Sequence, residues 1–157
     1  MAAETIDLTT DKDTRRSNLH SGAIYRKDAI VNLATVLAGE SDGTYEAGDV
    51  FQVIDVGAGT RILGGGIEIV DVVTGASAAT FDLDVAAGDD IADGVDATSA
   101  GYGAAGSNGV LGFTNAIQVT TADTVDLKLV TLTGTLTGGR IRCFVWLADL
   151  DGPTTEL

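Results

Sequence analysis

Along residues 80–86, TFDLDVA, apolar and acidic side chains alternate: Phe81, Leu83 and Val85 against Asp82 and Asp84. A period of two marks a β-strand with one face in a core and the other in water. It predicts that Asp82 and Asp84 face solvent. The alternation returns in DTVDLKLVTLTG (123–134), where Val125, Leu127 and Leu129 oppose Asp126 and Lys128. TFDLDV and TVDLKL share the pattern Thr-apolar-Asp-Leu-x-apolar, which reads as two strands of like amphipathicity rather than a repeat.

Other segments are apolar on both pleat faces. DVFQVIDV (49–56) reads as a buried strand, and RIRCFVWLADL (140–150) as a strand that is central or buried in an interface. TRILGGGIEIVDVV (60–73) is a strand with a bulge or bend at Gly64, Gly65 and Gly66. GFTNAIQVT (112–120) is a further strand. GAG (57–59) and TGG (137–139) read as turns, and TSAGYGAAGSNG (98–109) as a loop. AIYRKDAIVNLATVL, from Ala23, fits helix or strand, and its β-branched residues favour the extended form. Pairing is expected to stop at Pro153. Seven or eight strands, without a convincing amphipathic helix, predict an all-β fold: an antiparallel β-sandwich, jelly-roll-like, over 23–152. An extended N-terminal arm (1–22) precedes it and a short tail (153–157) follows.

Composition agrees. The 157 residues include 21 glycines and one proline, as suits short strands joined by tight turns. With 45% hydrophobic residues the chain is not low-complexity disorder. A chain of this length buries roughly 70% of its unfolded surface in one core. The net charge of −14 argues against a nucleic-acid surface and an anionic membrane surface as partners, and neither is expected. The N-terminal stretch lacks the basic and apolar regions of a signal peptide, so synthesis in the cytoplasm is expected.

The charge is uneven. Residues 1–28 hold Lys12, Arg15, Arg16, Arg26 and Lys27, five of the nine basic residues, with His20 among them. The rest of the chain sets eighteen acids against Arg61, Lys128, Arg140 and Arg142. The basic segment reads as an arm that reaches onto another protein, with Arg15, Arg16, His20, Arg26 and Lys27 as its contacts. The plainer alternative is a solvated terminus.

Candidate chemistry is thin. His20 is the only imidazole and Cys143 the only cysteine, so a disulfide within the chain and a cysteine-based zinc site are excluded. A Cys–His nucleophile would need these two distant residues to meet. GAGTRILGGG lacks the Gly-Lys-Ser/Thr of a phosphate loop. Paired carboxylates could hydrolyse glycosides, but such clefts are lined with aromatics, and Phe51, Phe81, Phe113, Phe144 and Trp146 all fall in strand patterns that default to core. Tyr45 and Tyr102 are the loop aromatics that a glycan-binding platform could use. GDDIADGVD (88–96) reads as an acidic surface turn. Its alternative is a calcium loop using Asp89, Asp90, Asp93 and Asp96, although it matches no EF-hand or β-roll spacing. No cofactor and no catalytic residue are expected.

The order of DVFQVIDVGAGTRILGGGIEIV, TFDLDVAAGDDIADGVDATSAG, TTADTVDLKL and GGRIRCFVWLADL resembles a group of small structural proteins of tailed bacteriophages, found especially in phages of marine and cyanobacterial hosts. The resemblance covers roughly residues 30–150, with Gly57 where that group usually has proline. It implies a virion protein and, within virions, a capsid decoration (cement) protein on the outer surface of the icosahedral shell. The implied partner is the major capsid protein, and local threefold junctions would suit a homotrimer. Other virion surfaces (head fibre base, collar or tail) and a host-glycan-binding module are the alternatives.

Overall fold

The computed structural model describes residues 5–7, 24–39, 43–85, 88–102 and 116–149. The described residues form eight strands and one short helix, in an all-β, jelly-roll-like sandwich. In chain order they are β1 (Thr5–Asp7), β2 (Ile24–Asn32), α1 (Leu33–Gly39), β3 (Val50–Val56), β4 (Thr60–Val85), β5 (Gly88–Asp96), β6 (Gly101–Tyr102), β7 (Ile117–Gln118) and β8 (Asp123–Asp149).

Two long strands organise the rest. β4 has 26 residues and β8 has 27, and they pair antiparallel from Thr60↔Asp149 to Val85↔Val125. The first half of β4 and the second half of β8 form one layer, flanked by β2 on β8 and by β6 and β7 on β4. Their other halves form the second layer, with β3 on β8, β1 parallel to β3, and β5 on β4. Both layers contribute to one core: Ile62, Ile67, Ile69, Ile141 and Val145 from the first, Phe51, Ile54, Phe81, Leu83, Leu127 and Leu129 from the second.

The TGG segment is therefore not a turn. β8 runs on through it, and so does β4 through TGASA, at a corner where the ladder passes from one layer to the other. The corner carries repeated register shifts between Ile69 and Ala78. Gly75, Gly134 and Gly139 adopt φ of 83°, 97° and 133° there. Those values need residues without a Cβ, and each shift bends the ribbon. The two amphipathic segments with the shared pattern prove to be direct partners, with Phe81↔Leu129, Leu83↔Leu127 and Val85↔Val125 on the core side.

Local chemistry explains the ambiguous and two-sided segments. The stretch from Ala23 is both structures in turn: strand as far as Asn32, then helix. The Asn32 Oδ1 accepts from the Thr35 amide, which caps α1. The Tyr45 hydroxyl donates to the Leu33 carbonyl at 2.6 Å and packs edge-on against Phe51, so Tyr45 is buried and offers no glycan platform. β3 is apolar on both faces because of a bulge. The register shifts between Gln52 and Ile54, which turns both Val53 and Ile54 into the core. A shift also falls between Ile62 and Gly64, as expected for the glycine triplet.

Gly65 shows why that triplet is needed. A Cβ on it would lie 2.5 Å from the Phe144 carbonyl oxygen and 2.9 Å from Ile91 Cγ2 of β5. Here side chain and backbone from both layers crowd a bare backbone position. Gly65→Val is expected to destabilise the fold by about 1–3 kcal/mol or more through overpacking. Gly57→Ala, at an open position, is expected to stay within about 0.5 kcal/mol of the parent. Urea unfolding of both variants checks this.

Candidate functional site

The outer face of the first layer is built by strict alternation. In β8, Ile141, Cys143, Val145 and Leu147 point into the core, which leaves Arg142, Phe144 and Trp146 outward. In β2, Tyr25 and Val31 point inward, which leaves Ile24, Arg26, Asp28 and Ile30 outward. On β4 the outward positions opposite Trp146 and Phe144 are Gly64 and Gly66, and Glu68 lies opposite Arg142. With no side chains on those glycines, the two aromatic residues border bare, buried backbone on that side.

The face is apolar and cationic together. Ile24, Ile30 and Trp146 are 52%, 43% and 37% exposed, large values for such side chains. The Arg26 guanidinium lies 4.6 Å from the centre of the Phe144 ring, a cation–π contact that also covers the ring. Arg26 pairs with Asp28 at 3.6 Å, and Arg142 pairs with Glu68 across the ladder. The Nε atoms of Arg26, Arg61 and Arg142 are buried without a hydrogen-bond partner among the described residues. Of the six described basic residues, Arg26, Lys27, Arg61, Arg140 and Arg142 all belong to strands of this layer, and Lys128 alone belongs to the other. At the corner Arg140 hydrogen-bonds Asp71, which holds that carboxyl below its usual range.

Sequence reasoning assigned Arg26 and Lys27 to the arm together with Arg15, Arg16 and His20. The first two stand on β2, fixed in register against Trp146 and Val145. The Lys27 Nζ donates to the Asp55 carbonyl of β3 at 2.6 Å. Arg15, Arg16 and His20 lie outside the described residues. At the start of the arm, Thr5–Asp7 is already strand β1, paired with Val50–Gln52. Trp146, assigned to the core by default, faces outward instead, whereas Phe144 is buried as expected, with Arg26 over its ring. The signal was present: RIRCFVWLADL is apolar on both faces, and only one of them can look into the sandwich.

The second layer is acidic, and here two expectations are corrected. Asp82 and Asp84 do not face water: they are only 6% and 8% exposed. GDDIADGVD is no turn either. It is β5, paired with the end of β4 and bulged twice, with Ile91, Ala92 and Val95 buried. Its Gly94, at φ 62°, brings its amide onto Asp82 Oδ1 at 2.7 Å, so the irregular strand covers the face that simple alternation assigns to solvent. Asp96 does what aspartate does in turns, accepting from the Thr98 amide and hydroxyl. Asp93 is exposed, and the side chains of Asp89 and Asp90 lie outside the described residues. Among the described residues no three acidic, His or Cys side chains gather as a metal site.

Asp126 stands opposite Asp84 on β4 and opposite Gln52 on β3. Burial raises its carboxyl above the ordinary value of 3.8; a hydrogen bond from Thr124 opposes this and the charge of Asp123 adds to it. Cys143 is fully buried, which pushes its thiol far up and makes it an unreactive core residue. A shallow hollow lined by Gln52, Asp55, Gly57, Asp123 and Thr124 opens at the end of β3. Among the described residues no helix is long and apolar enough to cross a membrane.

No family model matches the chain, and no curated protein matches it. Two solved structures are similar to it. A chain in the capsid of Ralstonia phage GP4 is 14% identical, with a TM-score of 0.58, covering 93% of this chain and 96% of that one. A chain in the acidic stable capsid structure of Helicobacter pylori bacteriophage KHP30 is 11% identical, with a TM-score of 0.43, covering 84% and 93%. At this identity the first likeness is one of fold.

Asp126 gives a testable sign. A carboxyl whose folded value is raised lends stability below its unfolded value, and that stability is lost as the pH rises through the folded value. Asp126→Asn keeps an acceptor for Thr124 and removes the buried charge. The variant is expected to melt higher than the parent at neutral pH, with the difference vanishing below the ordinary value of 3.8. Thermal melts across that range check it.

Proposed function

We propose that this chain is a structural protein of a tailed-phage virion, and specifically a non-enzymatic decoration (cement) protein bound to the outer surface of the icosahedral shell. The observation that carries the reading is the fold it shares with a chain of the Ralstonia phage GP4 capsid, over nearly the full length of both. The segment order that resembles small phage structural proteins points the same way, independently of the coordinates.

Electrostatics favours the outside. The inner surface of a filled shell faces packaged DNA, a polyanion, and a protein of charge −14 is repelled from it. On the outside the same charge keeps a crowded surface hydrated and soluble. A clamp that bridges capsomers adds binding free energy at their junctions and needs a rigid body with a docking surface, not a cleft. The sandwich supplies the rigidity, and the basic arm supplies the contact. Arg15 and Arg16 of the arm add charge of the sign that steers association. The partner is the major capsid protein, and a homotrimer at local threefold positions is the assembly that suits such junctions.

Shells depleted of this protein provide the test. Purified protein added back is expected to bind at many copies per particle and to raise the temperature at which the shell breaks down. Arg15→Glu with Arg16→Glu, which spares β1, is expected to weaken binding by about tenfold, or about 1.4 kcal/mol, with an unchanged melting transition of the protein itself. Parent protein that does not bind such shells would contradict the decoration reading. Undiminished binding of the double variant would remove the arm from it.

A further inference from the structure

The apolar and cationic outer face of the first layer is more than a decorated sheet, because the rest of the molecule is its complement. Outside residues 1–28 the chain sets eighteen acids against four basic side chains. Arg61, Arg140 and Arg142 of those four stand in the first layer, beside Arg26 of β2. Over the outward positions around Trp146 the described charges are Arg26, Arg61 and Arg142 against Asp28 and Glu68. This surface is positive by one, on a protein whose total is −14.

Elsewhere the described surface is acidic. Asp55 and Asp93 are exposed, and Asp123 and Asp126 are partly so. Asp55 and Asp123 share the shallow hollow at the end of β3. Val130, outward on β8 in the second layer, is 40% exposed and gives that side an apolar spot of its own.

We infer that the face formed by Ile24, Arg26, Ile30, Arg142 and Trp146 docks onto a second copy of this chain, against the acidic second-layer side that carries Asp55 and Asp123. Two copies repel as wholes, so they can meet only where the local charges oppose. Face against like face would set positive on positive. Face against the acidic side sets guanidinium groups against carboxylates, with Trp146 and the isoleucines supplying the apolar centre that such interfaces need. Two different patches then meet, so the contact is heterologous. It propagates from copy to copy and ends as a discrete assembly only where its rotation closes a ring. Docking would remove Trp146 and both isoleucines from water, the opposite of what an exposed strip of this size does for an isolated protein.

The inference needs no shell, so its test stands apart from the proposed function. Trp146 is the only tryptophan of the chain, so its emission reports on this face alone. The full-length protein is followed by analytical ultracentrifugation and by tryptophan emission over a concentration series at low salt. The expected result is a discrete closed oligomer whose appearance coincides with a blue shift of the emission. Arg26→Glu and, separately, Asp55→Lys are each expected to raise the concentration for half-association about tenfold, with the far-UV circular dichroism of the folded protein unchanged. The combination of the two, which restores opposite signs, is expected to recover part of the loss. A protein that stays monomeric throughout would overturn the inference. So would association without any change in emission, which would place the contact elsewhere. An emission shift that appears only when capsid shells are added would assign the face to the shell instead and equally overturn it.

Discussion

The structure depends on one constraint: two strands of 26 and 27 residues must stay hydrogen-bonded to each other through a corner. Each ladder bond contributes little net stability, on the order of 1 kcal/mol. Breaking the ladder at the corner would nevertheless separate the two layers, and with them the single core they share. The glycines with positive φ on both strands let the ribbon bend without losing its pairing. Every other strand attaches to one half of this ribbon or, for β1, to β3, which is itself attached to it. The placement of the outer face follows directly. The second half of β8 is central in the first layer, between β2 and β4, so its outward residues stand in the middle of an exposed sheet.

Much of this was legible in the chain. Strict alternation at Phe81–Val85 and Val125–Leu129 identified the core side of both segments, and their shared pattern turned out to record direct pairing. The sandwich class followed from strand number and glycine turns. The failures have one cause, irregularity in the ladder. Period-two reading assumes a flat pleat, and bulges break it. Asp82 is covered because β5 is bulged and folds its Gly94 amide onto it. Val53 and Ile54 are buried together for the same kind of reason. TGG is no turn because a glycine pair marks a bend as readily as a reversal, and only the partner strand decides which.

The outer face was half legible. RIRCFVWLADL announced a strand apolar on both sides, which a two-layered protein can bury only in an interface. What composition could not show is that the scarce basic residues would collect on that same surface. Arg26, Arg61 and Arg142 come from three separate parts of the chain, and only the register of β2, β4 and β8 brings them together. The molecule is thus polar in the electrical sense, with a cationic, apolar side on an acidic body. That arrangement suits a protein that must adhere on one side and stay hydrated on the other.

The central claim, a clamp on the outside of a phage shell, is tested most directly by a cryo-EM map of particles that contain this protein. The account predicts two-layered β-sandwich density in many symmetry-related copies on the outer surface of the shell, seated over junctions between capsomers. Density on the DNA-facing side, or only in a few copies at the tail or collar, would contradict it.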